Sequence, residues 1–182
     1  SALVSCIEGG PVLCCANGAF SDKWAEMSQR LGLETDVLKV ETGKPILADD
    51  VKKRLSEKKY KAVTVVHNET STGVTSDIAA VRRAIDAAGH PALLMVDTIS
   101  GLASADFRHD EWGIDVSVSG SQKGLMLPPG ISFNALSPRA LEANKTAKLP
   151  RSFWGWDEMV AMAGDGYFPY TPSTNLLYGL SE

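Results

Sequence analysis

Asp97 and Lys123 are the side chains whose type and placement could do chemistry. Asp97 closes an apolar run from Ala92 to Val96, where a carboxylate is partly desolvated. Burial alone raises an acid's pKa, so a charged form is held cheaply only against a cation, either a metal or a protonated ring nitrogen. A plainer role is an Asx-turn in which the side chain bonds its own backbone. Lys123 lies in the small-residue segment Ser119-Gly120-Ser121-Gln122-Lys123-Gly124, which lets a ligand approach the backbone closely. An amine held there could attack a carbonyl if partly desolvated. Read in isolation, it is an ordinary solvent-facing loop lysine. A third polar cluster, His67-Asn68-Glu69-Thr70-Ser71-Thr72-Gly73, follows the apolar run from Ala62 to Val66.

These clusters need a scaffold, and the pattern of the chain supplies one. Strand-like runs at Val12 to Cys15, Asp36 to Val40, Ala62 to Val66, Ala92 to Val96, Asp115 to Val118 and Ile131 to Leu136 alternate with helical patterns. Ser21 is placed to cap a helix carrying Trp24, Met27 and Leu31, and Gly32 to end it. Asp49 to Lys59 reads as a polar helix with Val51 and Leu55 inward, and Lys52 to Lys61 as its solvated charge. Ser76 is placed to cap a helix carrying Ile78, Val81 and Ile85, closed by Gly89. Helices opening at Pro138 and Ser173 complete the set, around an aromatic, irregular stretch from Leu149 to Pro172 in which Trp154 and Trp156 read as packing residues. Alternation of this kind predicts an α/β fold with a mostly parallel sheet flanked by helices. All three polar clusters then fall at carboxyl ends of strands, where open α/β sheets bind ligands.

Composition excludes several functions. A net charge of −4 and a pI near 5.4 do not make a nucleic-acid-binding surface. No apolar run reaches the roughly 18 residues of a membrane span. Cys6, Cys14 and Cys15 crowd near one end without metal-ligand spacing and read as buried free thiols, and His67, His90 and His109 likewise lack it. Apolar residues at the start and an unpartnered apolar helix after Ser173 lead us to expect a chain truncated at both ends.

The pair narrows the chemistry. Pyridoxal phosphate requires a lysine for a Schiff base and an acid to hold its protonated ring nitrogen, so that the ring can withdraw electrons. The runs from His67 to Val74, Val96 to Ser104 and Ser119 to Gly130 resemble class V aminotransferases, most nearly those acting on serine or alanine with glyoxylate. Lys123 follows Asp97 by 26 residues, which suits that family, and the resemblance extends to Tyr170 through Leu180.

The resemblance implies a type I pyridoxal-phosphate transferase large domain, of which residues 1–182 are part, without an N-terminal segment or a C-terminal small domain. It implies transamination between serine or alanine and glyoxylate, through a Schiff base on Lys123 that afterwards moves the Cα proton. Asp97 would pair with the ring nitrogen, and Phe20 would stack on the ring. Asn68 or Thr70 would contact the phenolic oxygen, and Gln122 the phosphate. Thr171, accompanied by Tyr167 or Tyr170, would reach the phosphate in a neighbouring subunit, which implies a homodimer with shared sites. The arginine that clamps the substrate carboxylate belongs to the absent small domain; Arg139 and Arg151 lie in the wrong segments. The partners are amino acids and 2-oxo acids rather than nucleic acid or membrane, and the location implied is cytoplasmic, or peroxisomal in a eukaryote. Phosphonate aminotransferases and cysteine desulfurases are related alternatives. A catalytically incomplete chain serving as an assembly module is the alternative of a different class.

Overall fold

The computed structural model describes residues 1–153 and 155–182. In chain order the elements are α1 (Ala2–Cys6), β1 (Val12–Ala16), α2 (Ala19–Arg30), β2 (Thr35–Lys39), α3 (Ala48–Glu57) and β3 (Ala62–Val66). A two-strand hairpin follows, β4 (Asn68–Glu69) and β5 (Val74–Thr75), then α4 (Ile78–Ala87), β6 (Leu93–Asp97), β7 (Val116–Gly120) and β8 (Ser132–Leu136). The chain continues through α5 (Pro138–Asn144), α6 (Asp157–Ala163) and α7 (Thr174–Ser181).

Six strands form one sheet in the order β2-β1-β3-β6-β7-β8. Every pairing is parallel except β7 with β8, which is antiparallel. β1, β3 and β6 are buried throughout, as expected of parallel strands covered on both faces. Alternate side chains feed two cores. Leu13, Val63, Val65, Leu94 and Val96 pack on one side with Val51 and Leu55 of α3 and Val81 and Ile85 of α4. Val12, Cys14, Ala62, Leu93 and Met95 pack on the other with Leu3 of α1, Ala25 of α2 and Ala140 of α5. From β1 the chain goes out to β2 and returns to β3 on β1's other flank, so β1 and β3 border the topological switch point of the sheet.

Several local expectations are revised. Ser21 is not the N-cap of α2; the helix opens at Ala19, with Gly18 as N-cap. Ser21 Oγ instead accepts from the Gly18 and Asn17 amides inside the first turn, at 3.0 and 2.9 Å. Asp77, not Ser76, caps α4 by accepting from the Ala80 amide at 2.8 Å. Ser76 Oγ ties down the Ile46 amide at 3.1 Å. The irregular aromatic stretch contains α6, and Trp156 is buried in the second core. Trp154 lies outside the described residues.

Cys6, Cys14 and Cys15 are buried free thiols. Burial pushes all of them up, Cys6 to about 12 with a contribution from Asp115. Among the described residues no cluster of His, Cys, Asp and Glu could hold a metal, and no helix is long and apolar enough to cross a membrane.

Candidate active site

The carboxyl ends of β1, β3, β6 and β7 lie side by side, and each ends in one of the chemically capable segments. Val66 is registered with Asp97, and Asp97 with Val118. Beyond the last pairs, the His67 amide donates to the Asp97 carbonyl at 2.9 Å and the Thr98 amide to the Val118 carbonyl at 2.8 Å. These bonds carry the alignment of the three strands into the loops.

Asp97 is 8% exposed. Its Oδ1 accepts from the Ile99 amide at 2.9 Å, and its Oδ2 from the Trp24 indole Nε1 at 3.0 Å. The Asx-turn reading is therefore correct for one oxygen and silent about the other. Burial pushes the carboxyl above the ordinary range, the two N–H donors oppose that rise, and the negative Glu69 adds to it. No cationic side chain among the described residues forms an ion pair with it. A buried acid with two amide-type donors and a like charge nearby is suited to a cationic N–H, such as a protonated ring nitrogen.

Lys123 sits on the turn that follows β7. The Met126 amide closes this turn on the Lys123 carbonyl at 2.9 Å. A Cβ on Gly124 would lie 2.2 Å from the Leu102 carbonyl oxygen and 2.6 Å from Ser104 Oγ, so this turn is pressed onto the loop after β6. Among the described residues, the non-glycine residues with left-handed φ are Ala103 at 59° and Met126 at 56°, and they lie in these two loops. Lys123 itself is exposed, so the chain's own packing does not desolvate the amine.

After β3, Glu69 is fully buried. Its Oε2 accepts from the Ser21 amide and hydroxyl, both at 2.9 Å, and its Oε1 from the Phe20 amide at 3.2 Å and Ser71 Oγ at 2.7 Å. It thereby binds the N-terminus of α2, where amides and dipole favour negative charge. Burial pushes this carboxyl up, but the donors from Ser21, Ser71 and Phe20 outweigh burial and hold it below the ordinary carboxylate range. A Cβ on Gly18 would come 2.4 Å from Glu69 Cγ, so only glycine leaves room for this side chain. Phe20 is thus held at the mouth of the switch point, 41% exposed as a residue, with Lys23 Nζ 5.5 Å from its ring centroid.

The two hydroxyl-contact candidates separate. Asn68 Nδ2 donates to Thr75 Oγ1 at 2.8 Å, within its own hairpin. Thr70 Oγ1 meets Ser100 Oγ of the loop after β6. Gln122 and Thr171 line a cleft of about 810 Å³ together with Ile99, Gly120, Phe153 and Tyr170, all from one chain. Neither Asp97 nor Lys123 lines that cleft. Arg139 is committed to Asp115 at 3.2 Å and Arg151 to Asp157 at 2.9 Å, so neither is available here as a carboxylate clamp. Trp24 and Glu69 are the residues that the sequence alone did not assign to the site. The spacing of Phe20 and Trp24, one helical turn apart, was the readable sign that they share a face.

A sequence profile for Aminotransferase class-V matches residues 5–150. The chain belongs to this family. Its relatives include an L-aspartate–glyoxylate aminotransferase of Paracoccus denitrificans, 49% identical over 95% of this chain and 44% of the relative. A serine–glyoxylate aminotransferase of Methylorubrum extorquens is 47% identical over 96% of this chain and 45% of the relative. The crystal structure of an alanine–glyoxylate aminotransferase from Nostoc sp. superposes with a TM-score of 0.90 at 27% identity, covering 98% of this chain and 48% of that one. The chain therefore spans under half the length of these relatives.

Proposed function

We propose that this chain carries the cofactor side of a pyridoxal-phosphate aminotransferase that moves an amino group from a small amino acid to glyoxylate. The observation that carries the reading is Asp97, a buried acid at a strand end with two N–H donors and no cationic partner among the described residues. Relatives named for aspartate, serine and alanine share glyoxylate in their names and differ in the amino donor, which supports glyoxylate as the acceptor.

When bound, the cofactor supplies a protonated aromatic ring that draws electrons from the substrate's Cα. Asp97 holds the proton on the ring nitrogen. Lys123 carries the cofactor covalently through its amine and, once displaced by the amino donor, moves a proton at Cα. Its exposure leaves it accessible to both cofactor and substrate. Phe20 offers its exposed ring as a stacking surface. Thr70, placed against Ser100 rather than tied into the hairpin, is the better candidate than Asn68 for the phenolic oxygen. Gln122 serves the phosphate. The amino donor leaves as its 2-oxo acid and glyoxylate leaves as glycine, in two half-reactions with ping-pong kinetics.

We further assign residues 1–182 to part of the large domain, acting in a homodimer. Thr171 and Tyr170 line the cleft together with the exposed Phe153 and Phe168, and the neighbouring Tyr167 is exposed as well. Such aromatic surfaces favour protein partners, and a second copy would bring Thr171 towards the neighbouring phosphate. Cys6, Cys14 and Cys15 are buried thiols in the core, so none of these three is placed to act as the mobile nucleophile of a desulfurase. The test is spectroscopic. The full chain loaded with pyridoxal phosphate should show a visible band that an amino donor bleaches and glyoxylate restores. Failure of serine, alanine and aspartate alike to bleach it would refute the proposal.

A further inference from the structure

We propose that Trp24 is a positioning residue for Asp97: its indole N–H fixes the carboxylate so that the free acceptor capacity of both oxygens is presented to the cofactor's ring nitrogen. The inference rests on the functional reading above and adds a residue to it. Four observations carry it.

First, each oxygen of Asp97 has one donor, the Ile99 amide on Oδ1 and Trp24 Nε1 on Oδ2. The Ile99 bond is local and comes with the turn. The Trp24 bond spans 73 residues, so it exists only because α2 packs across β1 and β3 and brings the indole to the end of β6. One donor on each oxygen blocks rotation of the carboxylate and still leaves lone pairs for a further N–H. Second, the group needs this help. It is buried, Glu69 sets a like charge against it, and among the described residues its hydrogen-bond donors are these two N–H groups.

Third, Trp24 lies four residues after Phe20 on α2, so one helix face presents both the ring proposed to stack and the indole that holds Asp97. Fourth, the position of that face is fixed from the other side of the switch point. Glu69 binds the α2 N-terminus through the Phe20 and Ser21 amides, so the register of α2 is set by the segment that also carries Thr70. A tryptophan placed only to fill the core would also seek a partner for its N–H. The difference is that here the partner is the charge on which the cofactor depends, and the consequence can be measured.

The experiment is a double-mutant cycle on cofactor affinity, read by equilibrium titration of the full chain with pyridoxal phosphate. Trp24→Phe keeps an aromatic ring and removes the donor. A hydrogen bond to a charged group sets the scale, and affinity should fall about tenfold. In the Asp97→Asn background the same change should cost less than about twofold, because the bond it removes no longer serves a charge. Trp24→Tyr, which keeps a ring with a donor, should recover part of the loss and guards against a fold defect in the Phe variant. Equal losses from Trp24→Phe in both backgrounds, or no advantage of Tyr over Phe, would overturn the proposal and leave Trp24 a packing residue. A wild-type chain that takes up no cofactor would overturn the functional reading itself, and this inference with it.

Discussion

Replacing Glu69 by glutamine should loosen the helix on which the site is built, by an amount that the contacts allow to be worked out. The glutamate accepts at Oε2 from the Ser21 amide and hydroxyl and at Oε1 from the Phe20 amide and from Ser71. A glutamine keeps one acceptor oxygen. With that oxygen at the Oε1 position, an NH₂ group faces the Ser21 amide. The Ser21 hydroxyl can turn to the Gly18 carbonyl, 3.0 Å away, but its amide has no alternative. One buried N–H left unsatisfied costs about 1–3 kcal/mol. Loss of a negative charge at a helix N-terminus adds roughly 0.3–2 kcal/mol. Together these give about 1–5 kcal/mol, or a fall in Tm of roughly 3–20 °C for a chain of this size.

The pH dependence follows from the sign of the shift. Glu69 is held below the ordinary carboxylate range, so its contribution is complete above the unfolded pKa, near ~4.3, and is lost as pH falls through the folded value. Thermal melts of the wild type and Glu69→Gln should therefore differ fully at pH 7 and converge only below about pH 4. Equal melting temperatures at pH 7, or a gap that widens in acid, would refute the reasoning.

Three further outcomes follow from the same contacts. Asp97→Asn should keep the fold and bind pyridoxal phosphate, yet lose transamination by about a hundredfold or more in steady-state assays, since a neutral amide cannot hold the ring proton. Gly124→Ala should displace the Lys123 turn, because the new methyl would lie 2.2 Å from the Leu102 carbonyl oxygen. Slower cofactor uptake, with a Tm loss of roughly 2–8 °C, is the expected reading. Alkylation of Cys6, Cys14 and Cys15 at neutral pH should track global unfolding, since all are buried and pushed above the ordinary thiol range. Rapid labelling of the native chain would contradict that.

The sheet was legible in the sequence because its central strands are buried on both faces. Runs such as Ala62–Val66 and Leu93–Asp97 are continuous and apolar, and their observed bounds differ from expectation by at most a residue or so. Asp97 stood out for the same reason, as the polar end of such a run. The β4–β5 hairpin was invisible, since two strands of two residues each leave no period to read. The start of α2 was misplaced because its capping group is a side chain 48 residues away, whereas capping signals are sought within a few residues. The same distance problem hid Trp24, whose apolar spacing on α2 is plain but whose partner, Asp97, lies 73 residues away at the end of β6. Lys123 is exposed, as an isolated loop lysine would be, so the partial desolvation that would favour attack on a carbonyl is not supplied by this chain's own packing. The small residues around it serve instead to let its turn press onto the loop after β6, as Gly124 shows.

The proposed chemistry depends on Lys123 being the amine that takes the cofactor. Borohydride reduction of the pyridoxal-phosphate-loaded chain, followed by peptide mapping, tests it most directly. A pyridoxyl label should appear on the peptide containing Lys123 and disappear in Lys123→Ala. A label of equal yield on another lysine, or one that survives the substitution, would contradict it.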